Sequence, residues 1–302
     1  MKISAAGFEK VWQYSQMFKE GMLCTVYLSL FTVILGFLLA LVLATMRMTN
    51  FRPFRALGLD KDGHLRDGGF LLALSKFNPI AFIATVYVEV VRATPMLVQL
   101  FIVYQVVFNK NVIRLPSVTV LGFLRLDQFL PGVIALALNS GAYLSEIIRA
   151  GIQSIDGGQT EAARSLGLTQ GQNMIHIVLP QAIKNILPAI GNEFVTIIKE
   201  SAITYTIGVQ DLMAAVKAAQ AGTFLVLEPL LVVAAMYFCL TFPTSKVIAY
   251  FERRMSVGDR RNGGDGKSKK AKMKIRQASV LRSQGGPNGF SFRTDGEKEE
   301  RK

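Results

Sequence analysis

The chain has 302 residues, 51% of them apolar and only 18% charged, with a formal net charge of +13 and a mean hydropathy of +0.35. That charge content lies below the roughly 25% of an ordinary soluble domain, which excludes one. Two lone cysteines, Cys24 and Cys239, exclude a disulfide scaffold and a cysteine metal site; both read as small buried residues in apolar segments.

Residues 1–20 carry Lys2, Glu9, Lys10, Lys19 and Glu20 and read as an extracytoplasmic segment rather than a cleaved signal peptide. From Gly21 to Met46 there is no Asp, Glu, Lys, Arg or His, long enough to cross a bilayer as a helix. The loop over about 51–78, with Asp60-Lys61-Asp62-Gly63-His64, reads as a cytoplasmic insertion in which His64 is solvated rather than a metal ligand. Ile80–Val91 is apolar but about a dozen residues long, suited to the interface or to packing on the bundle. Glu89 and Arg92 lie one turn apart, spaced for an ion pair or a gate. Thr94-Pro95 ends that element and starts a new helix, since proline is tolerated in a first turn and breaks what precedes it. A second span is expected over Ala93–Asn109, then others over Phe129–Ser145, Gln181–Ile198 and Phe224–Ser245. The expectation is an all-α integral membrane protein of about five transmembrane helices.

Two of these spans are polar where lipid-facing helices are not. Asn139, Ser140, Tyr143 and Glu146 recur at helical spacing in the third, and Asn192, Glu193 and Thr196 follow Pro188 and Gly191 in the fourth. Intramembrane polar groups are costly enough to be functional by default. A kink is expected at Pro188, where freed carbonyls line a wet cavity, and Gly191 permits close approach. These residues are read as a path for a polar solute, with Glu193 facing an ammonium group. The competing reading has Glu146 and Glu193 tying helices together or sitting at the membrane edge.

Between those spans lies a polar helical hairpin. Asp156 with Gln159, and Thr169 with Gln172, each place a capping side chain three residues before a glutamine. Gly167 falls where the first helix, about 157–167, must reverse through a left-handed residue. With the hairpin and the C-terminus inside and the N-terminus outside, thirteen Lys and Arg lie inside against eight outside before the distal tail, a modest positive-inside bias. Residues 256–302 read as a disordered basic cytoplasmic tail. Arg253–Lys302 holds 15 basic and 6 acidic residues, a composition suited to solvent or to anionic membrane lipid. No groove-reading motif accompanies it, so nucleic acid is not an expected partner. Gly264-Asp265-Gly266-Lys267-Ser268 fails as a phosphate-binding loop, because Arg261 stands where the first glycine belongs and no apolar strand precedes it.

Glu161-Ala162-Ala163, Gly167 and Ile177-x-Leu179-Pro180 together resemble the EAA loop of the permease subunits of ABC importers. The resemblance implies a type I permease fold over residues 21–255 and a coupling helix that seats on an ATPase through Glu161, Ala162, Ala163, Gly167, Leu168 and Pro180. Tyr87 to Gln99, Asn139-Ser140-Gly141-Ala142-Tyr143, Glu146 to Ile152, Gly208 with Asp211-Leu212, and Tyr250-Phe251-Glu252-Arg253 are similar to the branch importing polar amino acids. Asn139, Tyr143, Glu146, Asn192, Glu193 and Thr196 would then line the substrate path. The same likeness implies a bacterial inner-membrane protein that pairs with an identical or homologous permease, with two ABC ATPase subunits and with an external solute-binding protein. ATP and magnesium would be used by the ATPases, leaving this chain without a cofactor and without catalysis of its own. The rival is an ion-coupled secondary transporter or channel using the same carboxylates; the internal repeats such carriers show are not evident.

Overall fold

A computed structural model describes residues 4–55, 69–108 and 112–284 of the chain, with side chains as far as Met255. In chain order its helices are α1 (Ala5–Trp12), α2 (Ser15–Met48), α3 (Phe70–Lys76), α4 (Pro79–Ala93), α5 (Met96–Ile102), α6 (Leu126–Gln153), α7 (Gly157–Ser165), α8 (Gln170–Asn173), α9 (Leu179–Glu200), α10 (Leu212–Thr223) and α11 (Leu227–Gln284). π-helical turns at Val103–Val107 and Met174–Val178 extend α5 and join α8 to α9, and a 3-10 turn, Ser201–Ile207, follows α9. A ribbon of two antiparallel strands, β1 (Thr119–Val120) and β2 (Leu124–Arg125), precedes α6. Among the described residues it is the one departure from an all-α fold.

Among the described residues, four helical segments are long and apolar enough to cross a membrane: Ser15–Met48, Leu126–Gln153, Gln170–Ile207 and Leu227–Met255. Their exposure pattern inverts that of a soluble protein. Leu38 and Phe238 are 55% and 60% exposed, whereas Thr25, Ser29 and Thr32 are fully buried. Lipid gives apolar side chains no reason to turn inward, so the small and polar ones meet instead.

That rule accounts for the centre of the bundle. On α2 the residues Thr25, Ser29, Thr32, Gly36, Ala40 and Ala44 recur every three or four positions and are all buried. The stripe lets α6 approach closely: a Cβ placed on Gly36 would lie 3.3 Å from Ser140 Oγ and 3.4 Å from the Ala137 carbonyl. Gly132 of α6 faces Leu28 and Gly141 faces Leu39, while Glu146 meets Arg47, so the two helices run parallel. α9 returns antiparallel against α6, with Ile186 beside Gly151 and Asn185 Nδ2 donating to Ser154 Oγ at 2.9 Å. Gly191 lets α11 come as close as expected, since a Cβ there would stand 2.8 Å from Ile248 Cγ1.

The second crossing differs from its expected form. Its helix does not run from 93 to 109. α4 packs through Ala84 and Val88 against Leu43 and Ala142, with Asn78 Nδ2 donating to the Thr49 carbonyl at 2.6 Å. After a break at Thr94-Pro95, α5 continues in the same sense, Leu100 and Val103 packing against Leu28, Val133 and Leu136. Ile80–Val91 packs against the bundle, one of its two expected placements, and Met96–Val107 continues along α2 and α6 beyond the break. α3 joins α4 at a bend of 79°. The fourth span also begins earlier than expected: helix runs from Gln170 to Ile207, because the π-turn accommodates the missing amide of Pro180.

Residues 56–68 of the predicted insertion, His64 among them, lie outside the described residues. Residues 253–302 form a separate unit. Where a disordered tail is expected, the backbone is helical to Gln284, favoured by the Lys, Arg, Ala, Met and Gln of 267–284. Residues 285–302 again lie outside the description.

Asp211, in the segment that links the last two spans, caps α10 by accepting from Ala214 N at 2.9 Å through Oδ1. Its Oδ2 is buried with no partner among the described residues, and burial pushes the carboxyl up to about 7. A carboxyl raised above its unfolded value of about 3.9 contributes stability below that value and loses it as pH rises through the folded one. The thermal midpoint in detergent should accordingly fall between about pH 4 and about pH 7, and Asp211→Asn, which keeps the cap, should flatten that slope. Gly36→Leu should lower the midpoint at every pH, by about 1–3 kcal/mol of overpacking between α2 and α6.

Candidate functional site

An interrupted helix within a bundle leaves backbone carbonyls that only neighbouring side chains can satisfy. Thr94 and Pro95 are both extended (φ −111°, ψ 145° and φ −64°, ψ 137°). Gln99 fills the gap: its Nε2 donates to the Val91 carbonyl at 2.6 Å, to the Thr94 carbonyl at 3.0 Å and to Thr94 Oγ1 at 2.7 Å. Its Oε1 accepts from Asn139 Nδ2 at 3.0 Å. Asn139 sits midway along α6 and is 6% exposed. Ser140 Oγ, one residue on, is buried with no hydrogen-bond partner among the described residues. Across from it on α9, the half-buried Glu193 brings its carboxyl near that hydroxyl.

Arg92 closes one side of this polar centre. Its guanidinium lies 5.5 Å from the centroid of the Tyr143 ring, a cation–π distance, and Tyr143 is 38% exposed. Glu89 is exposed, and no ion pair joins it to Arg92 among the described residues, so the expected pairing gives way to the aromatic contact.

The six residues read as a path do not all meet. Asn139, Tyr143 and Glu193 share the centre. Asn192 is exposed and Thr196 half-buried, with Thr196 Oγ1 donating to the Asn192 carbonyl at 3.2 Å, which keeps that hydroxyl on its own helix. Glu146 is engaged elsewhere: its Oε2 accepts from Arg47 Nη1 at 2.5 Å and Oε1 from Arg149 Nη2. This three-residue ion cluster ties the end of α2 to α6, the helix-joining role that the competing reading gave it. Gln99 and Arg47 were not singled out from sequence. The available signals were an amide five residues past Thr94-Pro95 and an arginine closing a charge-free span.

The polar hairpin stands beyond that cluster, at the end of the bundle opposite α1. Asp156 Oδ1 accepts from Gly158 N at 2.9 Å and caps α7, but Gln159 does not return to it, so no reciprocal capping box forms there. The second box forms as expected, with Gln172 Oε1 accepting from Thr169 N at 2.9 Å and Thr169 Oγ1 from Gln172 N at 3.3 Å. Gly167 is left-handed (φ +82°). Gly167 N donates to the Arg164 carbonyl at 3.0 Å and Leu168 N to the Ala163 carbonyl at 3.1 Å, the paired bonds of a Schellman end. Ala163 is 2% exposed and faces the bundle. Glu161, Ala162 and Gly167 are exposed, Leu168 half-buried and Pro180 exposed. Leu166 is 81% exposed, an apolar side chain presented from a polar loop.

A helical bundle with a broken helix packed at mid-height on α6, and a polar helix presented at one end, fits a multi-pass membrane transport subunit. Residues 68–257 match the family of binding-protein-dependent transport system inner membrane components, and the chain belongs to that family. It is 39% identical over 240 residues to the arginine transport system permease protein ArtQ of Bacillus subtilis, covering 80% of this chain and 93% of that one. With the probable glutamine ABC transporter permease protein GlnM of the same organism it shares 35% identity over 239 residues, 79% and 93% of the two chains. Its fold resembles a chain in the crystal structure of an amino acid ABC transporter with histidines: TM-score 0.68, 38% identity, 84% of this chain and 100% of the other. The fold is that of a type I permease.

Asn139→Leu should strand the Gln99 carbonyl oxygen in the bundle, costing about 1–3 kcal/mol. The measurement is the thermal midpoint in detergent, where Asn139→Gln should cost less.

Proposed function

We propose that this chain is the permease subunit of an ATP-driven, binding-protein-dependent importer of polar amino acids, with its N-terminus outside and its C-terminus in the cytoplasm. The observation that carries the reading is α7, a capped polar helix held between α6 and α9 and exposing Glu161, Ala162, Leu166 and Gly167. Such a surface suits docking by an aqueous partner, here an ABC ATPase on each of two permease copies, identical or homologous. ATP and magnesium would be bound by those ATPases, and this chain takes part by moving rather than by catalysing. An external solute-binding protein would load the opposite end. The basic 256–302 region would face anionic membrane lipid or solvent.

The polar centre supplies what a zwitterion needs. Gln99, Asn139 and Ser140 offer amide and hydroxyl groups, and Glu193 offers a carboxylate for an ammonium group. Gln99 already spans the break and Asn139, so a solute exchanging hydrogen bonds with that pair would act on two helices at once. Closure of the ATPases would push α7, and the bundle would alternate access to this centre. The relatives named for arginine and glutamine transport support a polar amino acid as cargo.

Co-purification and uptake test the reading. Glu161→Lys or Gly167→Asp should leave the permease folded but abolish co-purification of the ATPase, and with it ATP-dependent uptake in proteoliposomes. Glu193→Gln should change uptake or solute preference while the ATPase stays bound; normal uptake with unaltered preference would remove Glu193 from the path. Solute uptake that persists without any ATPase would favour the ion-coupled carrier instead.

A further inference from the structure

We propose that Gln159 and Gln181 are positioning residues that make α7 and α9 move as one body, an inference that rests on the importer reading above. Gln181 Nε2 donates to Gln159 Oε1 at 2.6 Å, and Gln159 Nε2 donates back to Gln181 Oε1 at 3.2 Å. The two residues are 22 positions apart in the chain, and the pair is the reason Gln159 leaves its capping position beside Asp156. Gln181 Nε2 also donates to the Ile177 carbonyl at 2.7 Å, which orients the amide. A second tie joins α7 to α8: Asn173, 4% exposed, donates from Nδ2 to Thr160 Oγ1 at 3.1 Å.

The covalent route between the two helices is compliant by comparison. It passes through left-handed Gly167, where a Cβ would meet nothing within 4 Å, and then through the π-turn Met174–Val178. A push on α7 transmitted by backbone alone would be absorbed there. The amide pair bypasses both weak points and delivers the push to the first turns of α9. Beyond that contact α9 continues to Glu200 with Pro188 inside it. Gln181, Asn185, Asn192 and Thr196 fall within about 60° of one another at 3.6 residues per turn, and Glu193 stands about 18 Å along the axis from Gln181. The contact at one end of α9 and the polar centre at the other thus share one helix.

The test is the amount of radiolabelled amino acid taken up per ATP hydrolysed, measured on the complete complex in proteoliposomes with its binding protein and ATPase. Gln159→Ala and Gln181→Ala should each retain the ATPase and hydrolyse ATP within about twofold of wild type, while uptake per ATP falls about tenfold or more, the effect of losing two linked hydrogen bonds. The exchange Gln159→Glu with Gln181→Lys should recover most of the ratio, because a charged pair can rebuild the contact. An unchanged ratio in both alanine variants would overturn the proposal. So would a fall in hydrolysis and co-purification in step with uptake, which would make Gln159 part of the docking face, or a charge exchange that recovers nothing. ATP-independent uptake by the wild-type complex would overturn the importer reading itself.

Discussion

The parallel contact of α2 with α6 is the constraint on which the rest of the molecule depends. Neither helix can be drawn inward by apolar side chains when lipid solvates those equally well, so the two meet through Gly36, Ser140, Gly141 and a stripe of alanine, serine and threonine. The hydroxyls in that stripe are satisfied along their own helix where they can be, as Ser29 Oγ donating to the Thr25 carbonyl at 2.7 Å. Close approach there brings Arg47 against Glu146 and sets the level at which α4, α5 and α9 add to the outside.

From that arrangement the polar centre follows. The second crossing must pass α6 at mid-height, and it does so broken at Thr94-Pro95. Exposed carbonyls at that depth have no water to turn to, so Gln99 occupies the break and Asn139 holds Gln99. The same groups that make an interrupted helix tolerable form a polar lining. Structural need and solute recognition draw on one set of amides, and a solute can act as a conformational effector only by competing for bonds already made.

At the other end, stiffness and compliance alternate along the hairpin. The backbone route runs through the Schellman end at Gly167 and the π-turn at Met174–Val178, while side-chain amide contacts cross the hairpin directly. Which of the two dominates decides whether a push at α7 reaches the helix bearing Glu193.

Much of this was legible in the sequence. The charge-free run from Gly21 to Met46, the new helix after Thr94-Pro95, the capping box at Thr169 and the reversal at Gly167 depend on local chemistry, and local chemistry is written in neighbouring residues. The second crossing was placed only in part, because its two halves are each too short to register as a span and become one crossing only when both pack on α6. Glu146 and Glu193 looked alike along the chain, and Glu89 looked paired with Arg92. Their neighbours, Arg47, Ser140 and Tyr143, come from other helices, so spacing along one helix carried no information about them. Gln159 stood at a capping position and turned away to Gln181, because a partner 22 residues distant outcompeted the local one. By itself, then, the sequence determined the membrane class, the helix boundaries set by caps and prolines, and the hairpin. Only the tertiary structure decided which polar side chains meet, since inside a bundle each buried donor must find its acceptor wherever packing brings one within about 3 Å.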